Sequence, residues 1–192
     1  MASRMLFATQ LYEGSLDDDA LVADLADACR DLARDDRAGR RWSRAHGYRG
    51  YTSYASLNDL PRRDPRIAGL VRLLDRHVAA FACDCGFELG KKLKLDSLWV
   101  NILRPGGTHS GHIHPHSVVS GTVYLAVPSG SGALRLEDPR LPLMMAAPSR
   151  PDTFVHVAPR QGSVLLWESW LRHEVMPNNA RAERISISFN YR

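Results

Sequence analysis

Two stretches in the N-terminal half of the chain repeat apolar residues every three or four positions, which is the pattern of an amphipathic helix. The first ends near Arg34, and its apolar positions are Leu21, Leu25, Ala28 and Leu32. Ser15, followed three residues later by Asp18, predicts its N-terminal cap. The second runs from about 67 to 83, and its apolar positions are Leu70, Leu74, Val78 and Phe81. Both helices are expected to be scaffold, with a long polar loop at 36–60 between them.

From Leu93 onward the pattern changes to short runs of β-forming residues separated by turn residues. The runs are Leu98–Leu103, Val118–Val127, Ala133–Leu136, Phe154–Val157, Ser163–Trp167, Arg172–Met176 and Arg184–Tyr191. Seven or eight short strands without helical patterns between them predict a β-sandwich or barrel. A weakly alternating stretch from Leu6 to Tyr12 predicts an opening strand.

The last run is apolar on one face and polar on the other. Ile185, Ile187 and Phe189 alternate with polar residues that begin at Arg184 and end at Asn190. In a jelly roll, the outer face of such a strand can pack under helices while the inner face lines a ligand cavity. The length of 192 residues fits one domain, or one domain with an N-terminal elaboration.

Composition narrows the class of protein. With 44% hydrophobic and 24% charged residues, the chain is neither disordered nor collagen-like. Its net charge of +4 is mild and its arginines are scattered among acids, so a nucleic-acid partner is not expected. Three cysteines without a Cys-x-x-Cys pair favour reduced thiols and a cytoplasmic location. The absence of an 18-residue apolar run argues against a membrane partner.

Half of the eight histidines lie in one short window, at His109, His112, His114 and His116. Residues two apart on a strand point to the same side, so His112 and His114 can face one metal ion. His109 and His116 have no evident partner at the spacing of metal ligands, so we expect neither to bind the metal. The alternative interpretations of the window are an exposed polar strand end that happens to be rich in histidine, or a cluster that makes loop hydrogen bonds.

Residues downstream strengthen the metal hypothesis. His173 follows His112 by 61 positions on another predicted strand, and Arg184 and Ser186 follow on the last one. Three ligands on one face of Fe(II) leave the other face open for dioxygen and a co-substrate. With 2-oxoglutarate as the co-substrate, its distal carboxylate needs a forked, charge-assisted donor. Arg184 would supply the guanidinium and Ser186 a hydroxyl.

Several motifs together resemble a family of small bacterial 2-oxoglutarate/Fe(II)-dependent oxygenases. They are His112-x-His114-Pro-x-Ser, Ser120-Gly-x-x-Tyr124, Asp138-Pro-Arg140, Trp170-Leu-x-His173-x-Val-x-Pro-Asn178 and Arg184-Ile-Ser-Ile-Ser-Phe-Asn190. The resemblance covers about 99–191 and implies a double-stranded β-helix (jelly-roll) core, with Fe(II), 2-oxoglutarate and dioxygen as cofactors. The expected fold is therefore mainly β, with the jelly-roll core at 93–192 and a layer of two α-helices at 1–92, in one oxygenase domain.

The wider superfamily has an aspartate or glutamate where this chain has His114. Three neutral imidazoles leave the charge of Fe(II) uncompensated, and imidazole also suits Zn, Cu and Ni. Three options stay open: His114 is the second ligand, Asp138 or Glu137 supplies a carboxylate, or two histidines hold the metal alone. We favour His112, His114 and His173.

Other residues are assigned by chemistry and direction. Tyr124 and Asn101 are expected to contact 2-oxoglutarate together with Arg184 and Ser186. Four aromatic residues could form the wall of a substrate pocket: Tyr51, Tyr54, Trp167 and Trp170. The segment 36–66 is long enough for a lid over that pocket.

The expected reaction is oxidation, with hydroxylation as the usual outcome, of a small-molecule substrate or side chain, with release of succinate and CO2. The competing hypotheses are a cupin-type metal-dependent dioxygenase or isomerase and a non-catalytic metal-binding jelly roll. A cupin would have a glutamate near Val118 and Val119 and would give Arg184 no special role. The sequence leaves open the substrate and the oligomeric state, for which a homodimer is one option.

Overall fold

The computed structural model describes residues 4, 7–140 and 154–192. The helices are α1 (Asp19–Asp35), α2 (Arg37–Ala45), α3 (Leu60–Arg63) and α4 (Pro65–Asp84). The strands are β1 (Tyr12–Ser15), β2 (Gly50–Thr52), β3 (Leu95–Leu103), β4 (His109–His112), β5 (Val119–Ala126), β6 (Leu134–Glu137), β7 (Phe154–Val157), β8 (Ser163–Glu168), β9 (His173–Val175) and β10 (Arg184–Tyr191). No helix in this part of the chain is both long and apolar enough to cross a membrane.

The strands form two antiparallel sheets, as a jelly roll requires. The larger sheet has six strands in the order β1-β8-β5-β10-β3-β2, and the smaller has four in the order β4-β9-β6-β7. Side chains from both sheets meet in one apolar cluster, which includes Leu103, Tyr124 and Trp167 of the larger sheet and Leu136 and Val175 of the smaller. The sheets therefore pack face to face, and the jelly-roll expectation is confirmed.

The two long helices, α1 and α4, cover the outer face of the larger sheet. Leu25 of α1 and Leu70 of α4 share a buried cluster with Ile185, Ile187 and Phe189 of β10, all fully buried. The opposite face of β10 carries Arg184, Ser186, Ser188 and Asn190 toward the smaller sheet. One face of β10 therefore packs under the helices and the other faces the smaller sheet, as its alternation predicts.

The N-terminal cap of α1 differs from the prediction. Asp18 Oδ1 accepts a hydrogen bond of 2.9 Å from the Leu21 amide, so Asp18 is the cap. Ser15 ends β1, and its hydroxyl accepts from the Asp17 amide at 3.2 Å. Of the predicted opening strand, Leu6 lies outside the described residues and Tyr12 begins β1.

The segment predicted as a long loop contains α2, β2 and α3. Asp36 organises it, because its carboxylate accepts from the Gly39 amide and the Tyr51 hydroxyl, each at 2.9 Å, and from Ser56. These bonds hold the pKa of Asp36 below its ordinary value even though burial opposes ionisation. Tertiary hydrogen bonds rather than an apolar repeat stabilise the segment, so periodicity could not reveal it.

Candidate functional site

Three histidines from two segments of the chain converge at the β4 edge of the smaller sheet. His112 ends β4 and lies opposite His173 of β9 in the strand register. His114 lies beyond the end of β4, where its amide donates to the Ser169 carbonyl at 3.0 Å. One ligand atom from each of the three side chains lies within 4.8 Å of those of the others. The histidines that the sequence selected are therefore close enough to share a metal ion.

Backbone carbonyls orient two of the imidazoles. His112 Nδ1 lies 2.7 Å from the Ser110 carbonyl oxygen, and His173 Nδ1 lies 2.8 Å from that of Leu171. Since a carbonyl only accepts, each Nδ1 carries the proton and each Nε2 keeps its lone pair. Histidine ligands in metalloproteins are held in this way.

Burial keeps two of these imidazoles neutral. Desolvation lowers the pKa of His173 to about 3, with the neighbouring histidines lowering it further and the Leu171 carbonyl opposing them. Desolvation also lowers the pKa of His114 to about 4, with His112 adding to the effect. Both imidazoles are consequently uncharged at neutral pH, as metal binding requires.

The alternative carboxylate ligands are engaged elsewhere. Asp138 contacts Arg140 at 2.5 Å, and this hydrogen bond lowers the pKa of Asp138 to about 2. Glu137 lies 3.0 Å from Arg172 Nε. Within the described ranges, the set of three histidines is the one group with metal-ligand spacing. His116, with a left-handed φ of 71°, is outside this group.

The residues expected to contact 2-oxoglutarate lie together on the inner face of the larger sheet. Ser186 of β10 is paired with Asn101 of β3 on one side and with Tyr124 of β5 on the other. Arg184 precedes Ser186 by two positions on the same face. All four residues are buried, with 0–2% of their surface exposed.

Arg184 is a buried cation with few partners. Its Nη1 donates to the Gly132 carbonyl at 2.9 Å, and its guanidinium carbon lies 5.3 Å from the centre of the Tyr124 ring. The Arg184 Nε and the Tyr124 hydroxyl are both buried without a hydrogen-bond partner. No carboxylate of the described residues forms an ion pair with Arg184. Burying such donors is costly unless an anion accepts their hydrogen bonds.

A hydrogen-bond network that sequence reasoning missed lies beside Arg184. The Tyr48 hydroxyl lies 2.6 Å from His109 Nε2 and donates to Asn101 Oδ1 at 3.2 Å. Asn101 Oδ1 also accepts from Thr52 at 3.0 Å. His109, which the sequence dismissed as a ligand, therefore has a place in the wall of the site. Its presence in the histidine window was the available signal, whereas Tyr48 had none.

Two of the four aromatic residues predicted for a pocket wall, Trp167 and Tyr54, lie near the three histidines. Trp167 lies edge-on to His173 with ring centres 4.7 Å apart, and Trp99 lies 5.7 Å from His114. Tyr54 packs edge-on against Trp99 and is 64% exposed. Tyr51 lies elsewhere, because it is buried in the helix-covered core.

Comparison with known proteins points to one enzyme class. Residues 97–190 match the model of a family described as "Putative 2OG-Fe(II) oxygenase". No curated protein matches the chain.

Several solved structures share the fold. A Pseudomonas putida prolyl-4-hydroxylase is 21% identical, with 96% of this chain and 93% of that chain covered and a TM-score of 0.65. The epimerase SnoN from nogalamycin biosynthesis, in complex with Fe3+, alpha-ketoglutarate and nogalamycin RO, is 17% identical over 95% and 78% of the two chains, with a TM-score of 0.67. HygX from Streptomyces hygroscopicus, with nickel, 2-oxoglutarate and hygromycin B bound, is 17% identical over 95% and 82%, with a TM-score of 0.65. At these identities the likeness shows the jelly-roll fold.

Proposed function

We propose that the chain is a 2OG-Fe(II) oxygenase, because residues 97–190 match the model of that family, and that it uses Fe(II), 2-oxoglutarate and dioxygen to hydroxylate a small molecule. The observation that carries the proposal is the convergence of three histidines, together with a buried arginine on the inner face of the larger sheet that has no anionic partner among the described residues. The metal ligands would be His112, His114 and His173. When bound, iron and 2-oxoglutarate supply oxidation of a substrate C–H bond by dioxygen, with release of succinate and CO2.

The residues around Arg184 fit the distal carboxylate of 2-oxoglutarate. The free Nε of Arg184 and the unpartnered hydroxyl of Tyr124 are two donors that a buried carboxylate can satisfy together. Ser186, which is paired with Tyr124 on one side and with Asn101 on the other, adds its hydroxyl group as a third donor. The Asn101 Oδ1 already accepts hydrogen bonds from Thr52 and Tyr48. We therefore propose that Asn101 orients the Tyr48 side chain beside the co-substrate site.

The side of the histidine cluster that carries Trp99 and Tyr54 would receive the substrate. Apolar ring faces bind small organic molecules and exclude water from the metal ligands. SnoN and HygX were crystallised with the small molecules nogalamycin RO and hygromycin B, which supports this substrate class. The site also draws Tyr48 from the N-terminal half, so we propose that 1–92 and 93–192 act as one oxygenase domain.

An anaerobic titration tests the function. Fe(II) followed by 2-oxoglutarate should produce the weak visible charge-transfer band of the chelate, because the co-substrate would bind directly to the metal ion. Iron-loaded, folded protein that shows no band would favour a cupin-type enzyme or a binding module.

Substitution of His114 tests the ligand that replaces the usual carboxylate. His114→Asp should retain stoichiometric Fe(II), because a carboxylate oxygen replaces the imidazole and lowers the net charge of the site. His114→Ala is the matched comparison and should lose most of its iron. Iron content after anaerobic desalting distinguishes the two variants. Equal loss in both would mean that position 114 requires an imidazole, and full retention in both would mean that it does not bind the metal.

A further inference from the structure

His114 differs from the other two histidines in the group that faces its Nδ1. His112 and His173 each face a backbone carbonyl, which fixes the proton on Nδ1. His114 Nδ1 faces the side-chain amide of Asn190, with the amide nitrogen at 3.3 Å. Asn190 is the last inward-facing residue of β10 and is 6% exposed. An amide has both a donor and an acceptor, so it can match either tautomer of the imidazole.

The orientation in this structure is the one expected of the metal-free site. With Asn190 Nδ2 donating to His114 Nδ1, the imidazole proton must be on Nε2. His114 Nε2 lies 3.2 Å from His173 Nε2, whose lone pair can accept that proton. The two ligand atoms are thus joined by a hydrogen bond. In this tautomer His114 has no lone pair to offer through Nε2.

The surroundings of Asn190 allow its amide to turn over. Its Nδ2 donates to the Ser97 hydroxyl at 3.1 Å, and its Oδ1 accepts from the Ser120 hydroxyl at 2.8 Å. The Ser120 hydroxyl in turn lies 2.8 Å from that of Ser169. A 180° rotation exchanges the amide nitrogen and oxygen in place. Hydroxyls both donate and accept, so the serines can satisfy either orientation.

We propose that Asn190 is a positioning residue that sets the tautomer of His114 and turns over when a metal ion binds. After rotation, Asn190 Oδ1 accepts from His114 Nδ1–H and from Ser97, and Nδ2 donates to Ser120, which donates to Ser169. Every hydrogen bond along Ser169–Ser120–Asn190–His114 reverses and none is lost. His114 then matches His112 and His173, with the proton on Nδ1 and a free Nε2. The inference rests on the proposed function, since it takes His114 as a ligand.

Metal affinity tests the role of Asn190. Asn190→Ala should weaken binding of Ni(II), measured by calorimetry, by about 10- to 100-fold, the usual effect of removing the partner of a histidine ligand. Asn178→Ala is the matched control, because Asn178 is a buried asparagine whose amide donates to the Leu103 and Ala182 carbonyls. It should lower the melting temperature without changing Ni(II) affinity.

Asn190→Asp should restore or exceed the wild-type affinity. A carboxylate accepts from His114 Nδ1–H in a single mode and increases the basicity of the imidazole ligand. The recovery separates a positioning role from a packing role. Equal affinity in the alanine and aspartate variants would overturn the proposal.

Nitrogen-15 NMR of the histidine side chains provides a direct readout, with diamagnetic Zn(II) as the probe. The metal-free protein should show His114 protonated at Nε2, and the Zn(II)-loaded protein should show it protonated at Nδ1. Metal-free Asn190→Asp should already show the Nδ1–H form. An Nδ1 proton on His114 in the metal-free wild type would contradict the proposed reversal of the hydrogen bonds on metal binding. Failure of wild-type protein to bind Zn(II) or Ni(II) at all would instead refute the proposed metal site.

Discussion

Replacing Arg184 with methionine is expected to weaken 2-oxoglutarate binding about a hundredfold or more while leaving metal binding intact. Removal of one partner of a buried ion pair costs about 3–5 kcal/mol, and each 1.4 kcal/mol is a factor of ten in affinity. The hydrogen bond of Arg184 goes to the Gly132 carbonyl and not to any of the three histidines, so Ni(II) affinity should be unchanged. Calorimetric titration of the Ni(II)-loaded, folded variant with 2-oxoglutarate measures the effect.

The same substitution should not lower the stability of the free protein. Arg184 is 2% exposed, its Nε has no hydrogen-bond partner and burial lowers its pKa, all of which show that burying this cation is costly. Methionine fills a similar volume without that cost, and replacement of buried charges by apolar residues is often neutral or stabilising. We therefore expect an equal or higher melting temperature. 2-Oxoglutarate at a concentration that saturates the wild type should raise the melting temperature of the wild type but not that of Arg184→Met.

Two variants control this prediction. Arg184→Lys should recover part of the affinity, because an ammonium keeps the charge but cannot form the fork. Arg135→Ala removes a half-buried arginine of the smaller sheet that pairs with Glu174, and it should affect stability without affecting 2-oxoglutarate binding. Unchanged 2-oxoglutarate affinity in Arg184→Met would contradict the assigned role and favour a cupin-type site.

The sequence predicted the parts of the fold that depend on local periodicity. The alternation of β10 identified its helix-covered face and its cavity face, and the structure places Ile187 and Ser186 accordingly. The spacing of His112, His173 and Arg184 was informative because β9 and β10 carry two of these residues to fixed register positions. Period-two and period-3.6 patterns are properties of the chain itself, so they can be read without tertiary information.

Features that depend on contacts between distant segments could not be predicted. His114 was expected on a strand with His112, but the Ser169 carbonyl holds it beyond the strand end. Tyr48 reaches His109 and Asn101 from a segment without an apolar repeat. The role of Asn190 depends on which atoms of Ser97, Ser120 and His114 surround it. Sheet register determines these neighbours, and no local pattern encodes it.

The largest expected effect on the metal site is that of His173→Ala, which should abolish Fe(II) binding. His173 is 5% exposed, its Nδ1 proton is held by the Leu171 carbonyl, and its Nε2 is 3.2 Å from His114 Nε2. It is thus a rigidly oriented member of the three-histidine set, and its removal leaves two ligands to compete with water for iron. Anaerobic Fe(II) loading followed by iron analysis measures the loss, and His112→Ala should behave in the same way.

His116→Ala is the matched control for His173→Ala, because it removes an imidazole from the same histidine-rich window. His116 is exposed and does not belong to the group of three histidines with metal-ligand spacing, so its loss should leave iron binding unchanged. Circular dichroism and the melting temperature establish whether each variant is folded. If His173→Gln, which keeps a polar side chain at this buried position, binds as much Fe(II) as the wild type, His173 is not a ligand. If His116→Ala loses as much iron as His112→Ala, the ligand set within the window is wrong.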